Sequence, residues 1–271
     1  MKKQQVFLSV MMAIVMMTMS SAKALAFKKD SINIDVDGKS RNMIVFTPDK
    51  MKKKMPLFII THGMNQNPEY QYDNDKIYEM VDTAKFVVAY LRSDGNTWDV
   101  RGDKDLNFVE KTMDEMYNRY KIDKRRIYWS GFSMGSMLIY RGLERFADKV
   151  ACFAPTSGFL FHYEPWAQLT KKVNIIHHQS THDSVFPLDR FDLYDYVGKV
   201  AKKNGEGTTQ TYTKTEGYRS HEGDYVGTKE VWTNADGHVI ELFTYPQGDH
   251  FPSWHNRQEI WSFVKRFSLP K

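Results

Sequence analysis

The sequence predicts an α/β fold: one domain with a mainly parallel sheet and helices on both of its faces. Three observations predict it. Short apolar runs alternate with segments of helical periodicity along most of the chain. The pentapeptide Gly131-Phe132-Ser133-Met134-Gly135 stands between such a run and a helical segment. No Pro/Gly/Ser-rich linker, repeat or low-complexity stretch follows residue 26. Uniformly apolar strands between helices are the mark of a sheet covered on both sides. The 271 residues, 41% of them hydrophobic, suffice for a large core, and the composition excludes disorder, collagen-like sequence and coiled coil.

Residues 1–26 read as a secretory leader. Lys2 and Lys3 precede an apolar stretch at 6–17, and Ala24-Leu25-Ala26 closes it. The stretch is shorter than the about 20 residues of an ordinary spanning helix. The mature chain, 27–271, is expected in the periplasm or outside the cell, with no stable membrane insertion. Loss of Lys2, Lys3 and Lys23 lowers the formal charge from +5 to +2, too little to suggest a nucleic-acid partner. The single cysteine, Cys152, excludes an internal disulfide and a cysteine-based zinc site.

The elements follow in order. Residues 31–36 and 42–47 read as strands joined at Asp37-Gly38, and 57–61 and 86–91 as short buried strands. Residues 103–120 place apolar side chains at 106, 109, 113, 116 and 120, one helical face, with Asp103 and Asp105 at the positive end. A strand at 126–130 leads into the pentapeptide, and 136–146 continues as a helix. Strands at 150–154 and 173–178, a helix at 190–202, a strand at 239–245 and an amphipathic helix at 255–267 complete the alternation. Residues 204–237 break it. They are polar and rich in Thr, Tyr and Gly, and are expected to form a loop or hairpin above the sheet, a candidate lid.

Gly131-x-Ser133-x-Gly135 between strand and helix is the setting of a nucleophile elbow. Its glycines would let the chain turn tightly, with a strained serine at the apex. A serine needs a base, and such folds supply the acid and then the histidine later in the chain. His250 leaves the last strand through Tyr245-Pro-Gln-Gly-Asp-His250, and Asp183 lies five residues beyond His178. His255, Asp249, Asp189 and Asp192 are rivals for these places, and a plain turn aspartate is the competing explanation for Asp183. The backbone N–H groups of Met64 and Met134 are the expected oxyanion donors, with Gln66 supporting the Met64 loop. His177, His178 and His182 do not suggest a metal site, because adjacent strand residues face opposite ways. Trp129 and Trp261 fall on expected elements and read as core. Trp98, Trp166, Trp232 and Trp254 fall in expected loops, and are candidates to stack on substrate.

Three segments carry a resemblance: Ser93-Asp-Gly-Asn-Thr-Trp98, Asp105-Leu-Asn-Phe-Val109, and Tyr120-Lys-Ile-Asp123 through Arg126 to Ser133-Met-Gly. Together they resemble the family-1 carbohydrate esterases and their polyhydroxybutyrate-depolymerase-like relatives. The resemblance implies a secreted single-domain α/β-hydrolase acting on esterified plant polysaccharide, without metal or organic cofactor. It puts the nucleophile on Ser133, the acid on Asp183 and the base on His250. The chain departs from the pattern at Met64, Ser136 and Gln179, where cysteine, glycine and glycine are frequent. The loop aromatics and the 204–237 segment favour a feruloyl group. Acetylxylan esterase is the alternative, then polyester depolymerase or acyltransferase. Oligomeric state is not legible.

Overall fold

The computed structural model describes residues 27–271, so the expected leader lies outside the described residues. The parallel heart of the sheet consists of β3 (Leu57–Thr61), β4 (Val87–Leu91), β5 (Ile127–Phe132), β6 (Cys152–Thr156), β7 (Ile175–Ser180) and β10 (Val239–Tyr245). Nearly every residue of these strands is buried, as their apolar composition requires. An antiparallel hairpin, β1 (Phe27–Val36) and β2 (Lys39–Pro48), flanks one side, and a second, β8 (Gln210–Arg219) and β9 (Val226–Asn234), flanks the other. The order across the sheet is β1-β2-β4-β3-β5-β6-β7-β10-β9-β8.

Successive strand residues point to opposite faces, which builds two cores. Leu57, Ile59, Trp129, Phe153 and Leu242 face α3 (Lys104–Tyr120), α4 (Met134–Phe146) and α6 (Leu193–Asn204). Phe58, Ile60, Tyr128 and Ile176 face α1 (Pro68–Asp75), α2 (Val81–Ala84) and α7 (Arg257–Val264). The short α5 (Pro165–Gln168) packs on α4 and α6. Among the described residues no helix is long and apolar enough to cross a membrane.

The chain leaves β3 towards β4 on one side and returns to β5 on the other. The loops at the carboxyl ends of β3 and β5 therefore diverge, and a crevice opens between them, where ligands of open parallel sheets bind.

Two expectations need correction. Residues 204–237 do not sit above the sheet: β8 and β9 lie in its plane, because β9 pairs along β10 from Thr228 to Thr233. The final helix, α7, is shorter than expected and is preceded by a single 3₁₀ turn, Trp254–Asn256. In addition, Asp105 does more than favour a helix end. It is fully buried, with Arg41 Nη2 2.6 Å from one carboxylate oxygen and the Asp99 N–H 2.6 Å from the other. That pair fixes the loop between β4 and α3 against β2.

Candidate active site

Ser133 stands at the junction of β5 and α4 with φ of 52° and ψ of −116°. That is a strained conformation for a residue with a Cβ. Its N–H is held by the Thr156 carbonyl oxygen at 2.9 Å, and its own carbonyl oxygen accepts the Met137 N–H at 3.0 Å. The two glycines of the elbow serve clearance rather than turning, since neither has a positive φ. A Cβ on Gly131 would meet the Gly135 carbonyl oxygen at 2.4 Å, and one on Gly135 would meet the Thr61 carbonyl oxygen at 2.2 Å. Gly158 also has to lack a side chain, because its Cβ would come within 2.9 Å of the Ser133 carbonyl oxygen. Ser136 donates to the Gly158 carbonyl oxygen and so ties the elbow helix to the loop after β6.

His250 comes from the loop after β10, and its Nε2 lies 2.8 Å from Ser133 Oγ. Its Nδ1 lies 2.9 and 3.0 Å from the two oxygens of Asp183, in the loop after β7. Asp183 is buried and is held from several sides. The Val185 and Phe186 N–H groups donate to Oδ1, and Gln179 Nε2 donates to Oδ2. An ionised carboxylate is the acceptor this set of donors suits. It fixes the proton of His250 on Nδ1 and leaves Nε2 free to accept from Ser133. The rings of Phe132 and Phe186 flank the imidazole at 4.8 and 5.8 Å between centroids. Asp249 accepts the N–H groups of Ser184 and His250, joining the loops that carry Asp183 and His250. Those bonds, that of Ser184 first, hold its carboxyl below the usual range.

The loop after β3 faces the elbow across the crevice. Gly63 donates its N–H to Gln66 Oε1, Asn65 to the Asn96 carbonyl oxygen, and Gln66 to the Gly63 carbonyl oxygen. Met64 is left with the uncommitted N–H of this turn among the described residues. Met134 opens α4, so its N–H has no partner within the helix. His62, which sequence reasoning does not single out, also supports this loop. It is buried, its Nε2 accepts the Ser93 N–H, and its Nδ1 therefore donates to the Gly63 carbonyl oxygen at 2.7 Å. Burial lowers its pKa to about 4 and keeps the ring neutral.

The tryptophans divide. Trp98 is not a substrate platform: it is 2% exposed, and its indole N–H donates to the His62 carbonyl oxygen. Trp232 lies on β9 opposite Ile240, near the start of β10, and packs on Tyr212. The site is at the other end of β10, about 16 Å away at 3.3 Å per residue. Trp166 packs edge-on against Tyr196, and Trp254 stacks on His255. His255 bonds Asp224, and Asp192 caps α6 through the Asp195 N–H, so neither rival joins Ser133. His177 meets Tyr140 on one face of β7, and His178 lies beside Phe243 on the other. Among the described residues, no three His, Cys, Asp or Glu side chains are grouped to hold a metal ion.

No protein-family model matches the chain. A bifunctional acetylxylan esterase/xylanase of Neocallimastix patriciarum is 34% identical over 237 residues, 86% of this chain. The chain spans about a third of the length of that curated relative (34%). An acetyl xylan esterase from Aspergillus awamori has the same fold with a TM-score of 0.66 at 11% identity, covering 89% of this chain and 99% of that one. A mutant feruloyl esterase module from Clostridium thermocellum, complexed with sinapinate, has a TM-score of 0.60 at 14% identity, covering 90% of this chain and 89% of that one. The chain thus has the α/β-hydrolase fold and, over 86% of its length, is similar in sequence to a bifunctional acetylxylan esterase/xylanase.

Proposed function

We propose that the chain is a serine carboxylesterase that removes acetyl groups from xylan through an acyl-enzyme. The observation that carries this reading is the continuous hydrogen-bonded line from Ser133 through His250 to Asp183, with the serine on a strained turn. In it, His250 Nε2 takes the Ser133 proton as Oγ attacks the ester carbonyl. The Met64 and Met134 N–H groups receive the oxyanion. Asp183 holds the tautomer and stabilises the imidazolium. His250 then gives its proton to the departing sugar hydroxyl, and water releases the acetate by the same steps. The same reading has the enzyme act outside the cytoplasm, exported by the leader at residues 1–26.

Acetyl ranks before feruloyl because two of the four tryptophans that could stack on a feruloyl ring are out of its reach. Trp98 is buried and Trp232 is remote, whereas the 34%-identical relative is named an acetylxylan esterase. Feruloyl is the second reading, favoured by the ring series that runs from His250 through Phe186 to Phe161 and Phe191. Parallel hydrolysis of acetylated xylan and methyl ferulate, with Ser133→Ala alongside, tests both. Acetate release that disappears in Ser133→Ala supports the first reading. Ferulate release alone moves the enzyme to the second. Release from neither substrate contradicts the esterase reading.

A further inference from the structure

Beside the elbow helix lies a cavity of about 640 Å³. Three of its walls come from segments that build the candidate active site. Met137 is one turn along α4 from Ser133 and donates its N–H to the Ser133 carbonyl oxygen. Leu160 follows Gly158, whose backbone abuts Ser133. Arg101 follows Trp98, which holds the oxyanion loop. The cavity therefore borders segments that build the site, although Ser133 and His250 do not line it.

The cavity is basic. Two guanidinium groups line it, Arg101 and Arg141, and no acidic residue does. Arg101 has no ion-pair partner among the described residues. Arg141 reaches an acid only at 3.4 Å, in Asp103, whose side chain is 63% exposed. Arg145 and Arg257, by contrast, each lie 2.6 Å from an acid, Glu110 and Glu79. Phe161, with 38% of its surface exposed, and the half-buried Tyr163, whose ring lies 5.7 Å from the Arg141 guanidinium, add ring faces to the lining. Permanently charged forks suit a carboxylate, and exposed rings suit the C–H face of a sugar. The volume suits a ligand of a few rings.

We propose that this cavity is a subsite for a uronic acid carried by the esterified glycan, its carboxylate bound by Arg101 and Arg141. The inference rests on the esterase reading for its place in catalysis, but the binding can be measured without turnover. Isothermal titration of the Ser133→Ala protein compares a xylo-oligosaccharide bearing one glucuronic acid branch with the same oligosaccharide unbranched. The branched one is expected to bind about tenfold more tightly, the worth of a charge-assisted hydrogen bond. That advantage is expected to vanish when Arg101→Gln and Arg141→Gln are added, and to shrink as salt is raised. An unchanged thermal midpoint in the arginine variant would show that its fold is intact. Equal affinities, an advantage kept by the arginine variant, or no binding of either sugar overturns the subsite.

A kinetic arm uses the acetylated forms of both oligosaccharides and reads the ratio of their kcat/KM values. A ratio of about ten is expected, falling towards one in the arginine variant. Turnover of both at equal kcat/KM overturns the subsite and leaves the esterase reading standing. Turnover of neither, with the binding preference present, overturns the esterase reading and leaves the subsite.

Discussion

The indole N–H of Trp98 donates to the carbonyl oxygen of His62 across 2.7 Å, a bond between the loop after β4 and the loop that offers the Met64 N–H. The His62 and Trp98 rings also meet, 4.8 Å apart. Trp98→Phe keeps the ring contact and removes the donor, leaving a buried carbonyl oxygen unsatisfied at a cost of about 1–3 kcal/mol. The expected outcome is a lower thermal midpoint and a kcat reduced about tenfold with little change in KM, because the proposed oxyanion donor is displaced rather than a substrate contact. Steady-state kinetics on an acetyl ester checks it.

Asp183→Asn tests the acid in a way that separates orientation from packing. The Val185 and Phe186 N–H groups need the oxygen of the new amide, so its NH₂ must face His250. Nδ1 would then accept, the imidazole proton would move to Nε2, and Ser133 would face a donor. A fall in kcat of about 10³–10⁴ is expected, with the Ser133 and His250 side chains still in place. A fall of less than tenfold would remove Asp183 from the mechanism.

Gly135→Ala is expected to fail as a folding change. The added methyl would sit 2.2 Å from the Thr61 carbonyl oxygen, against the backbone of β3. Neither partner can rotate away, so overpacking of about 3 kcal/mol is expected, with loss of soluble protein or a much lower unfolding midpoint. Gly198→Ala, where an added Cβ meets nothing within 4 Å, is the matched control.

Three buried histidines set the acid limit of the fold. Burial lowers His62 and His178 to about 4 and His177 to about 3. Unfolded, each takes up its proton near the ordinary value of about 6.5. Between these limits the unfolded chain holds more protons, so stability falls as pH drops. Asp75 opposes this: burial lifts its carboxyl to about 6, so the folded chain is protonated there first. The net difference near pH 5 approaches two protons, or about 2–3 kcal/mol lost per pH unit. Calorimetry from pH 7.5 to 4.5 is expected to show a flat unfolding midpoint above pH 7 and a steep fall below pH 6. A midpoint that rises on acidification would contradict this assignment.

Much of this arrangement is legible in the sequence because it depends on local pattern. The buried strands are continuous apolar runs, and Ser133, Asp183 and His250 each follow one of them. The structure brings those three together as the chain order predicts. What is not legible depends on contacts distant in sequence. Trp98 reads as a loop residue until Arg41 and Asp105, 64 residues apart, pin its loop to β2. Strand β8 is exposed along nearly all of its length and carries no apolar alternation, so the composition of 204–237 allows a hairpin but does not show that it extends the sheet beside β10. Helix α1 is likewise polar, and buries Gln71 and Asp75, which bond each other. The glycines of the elbow were legible as a motif, but their reason, clearance from Thr61 and Gly135, needs the neighbouring strand.

The central claim is that Ser133 is an activated nucleophile. The most direct test is covalent labelling by a fluorophosphonate, read by intact mass and peptide mapping. The account predicts one adduct per chain, on the peptide containing Ser133, absent in Ser133→Ala and slowed at least about 10³-fold in His250→Ala. A folded protein that takes no label, or that labels equally fast in Ser133→Ala, would contradict it.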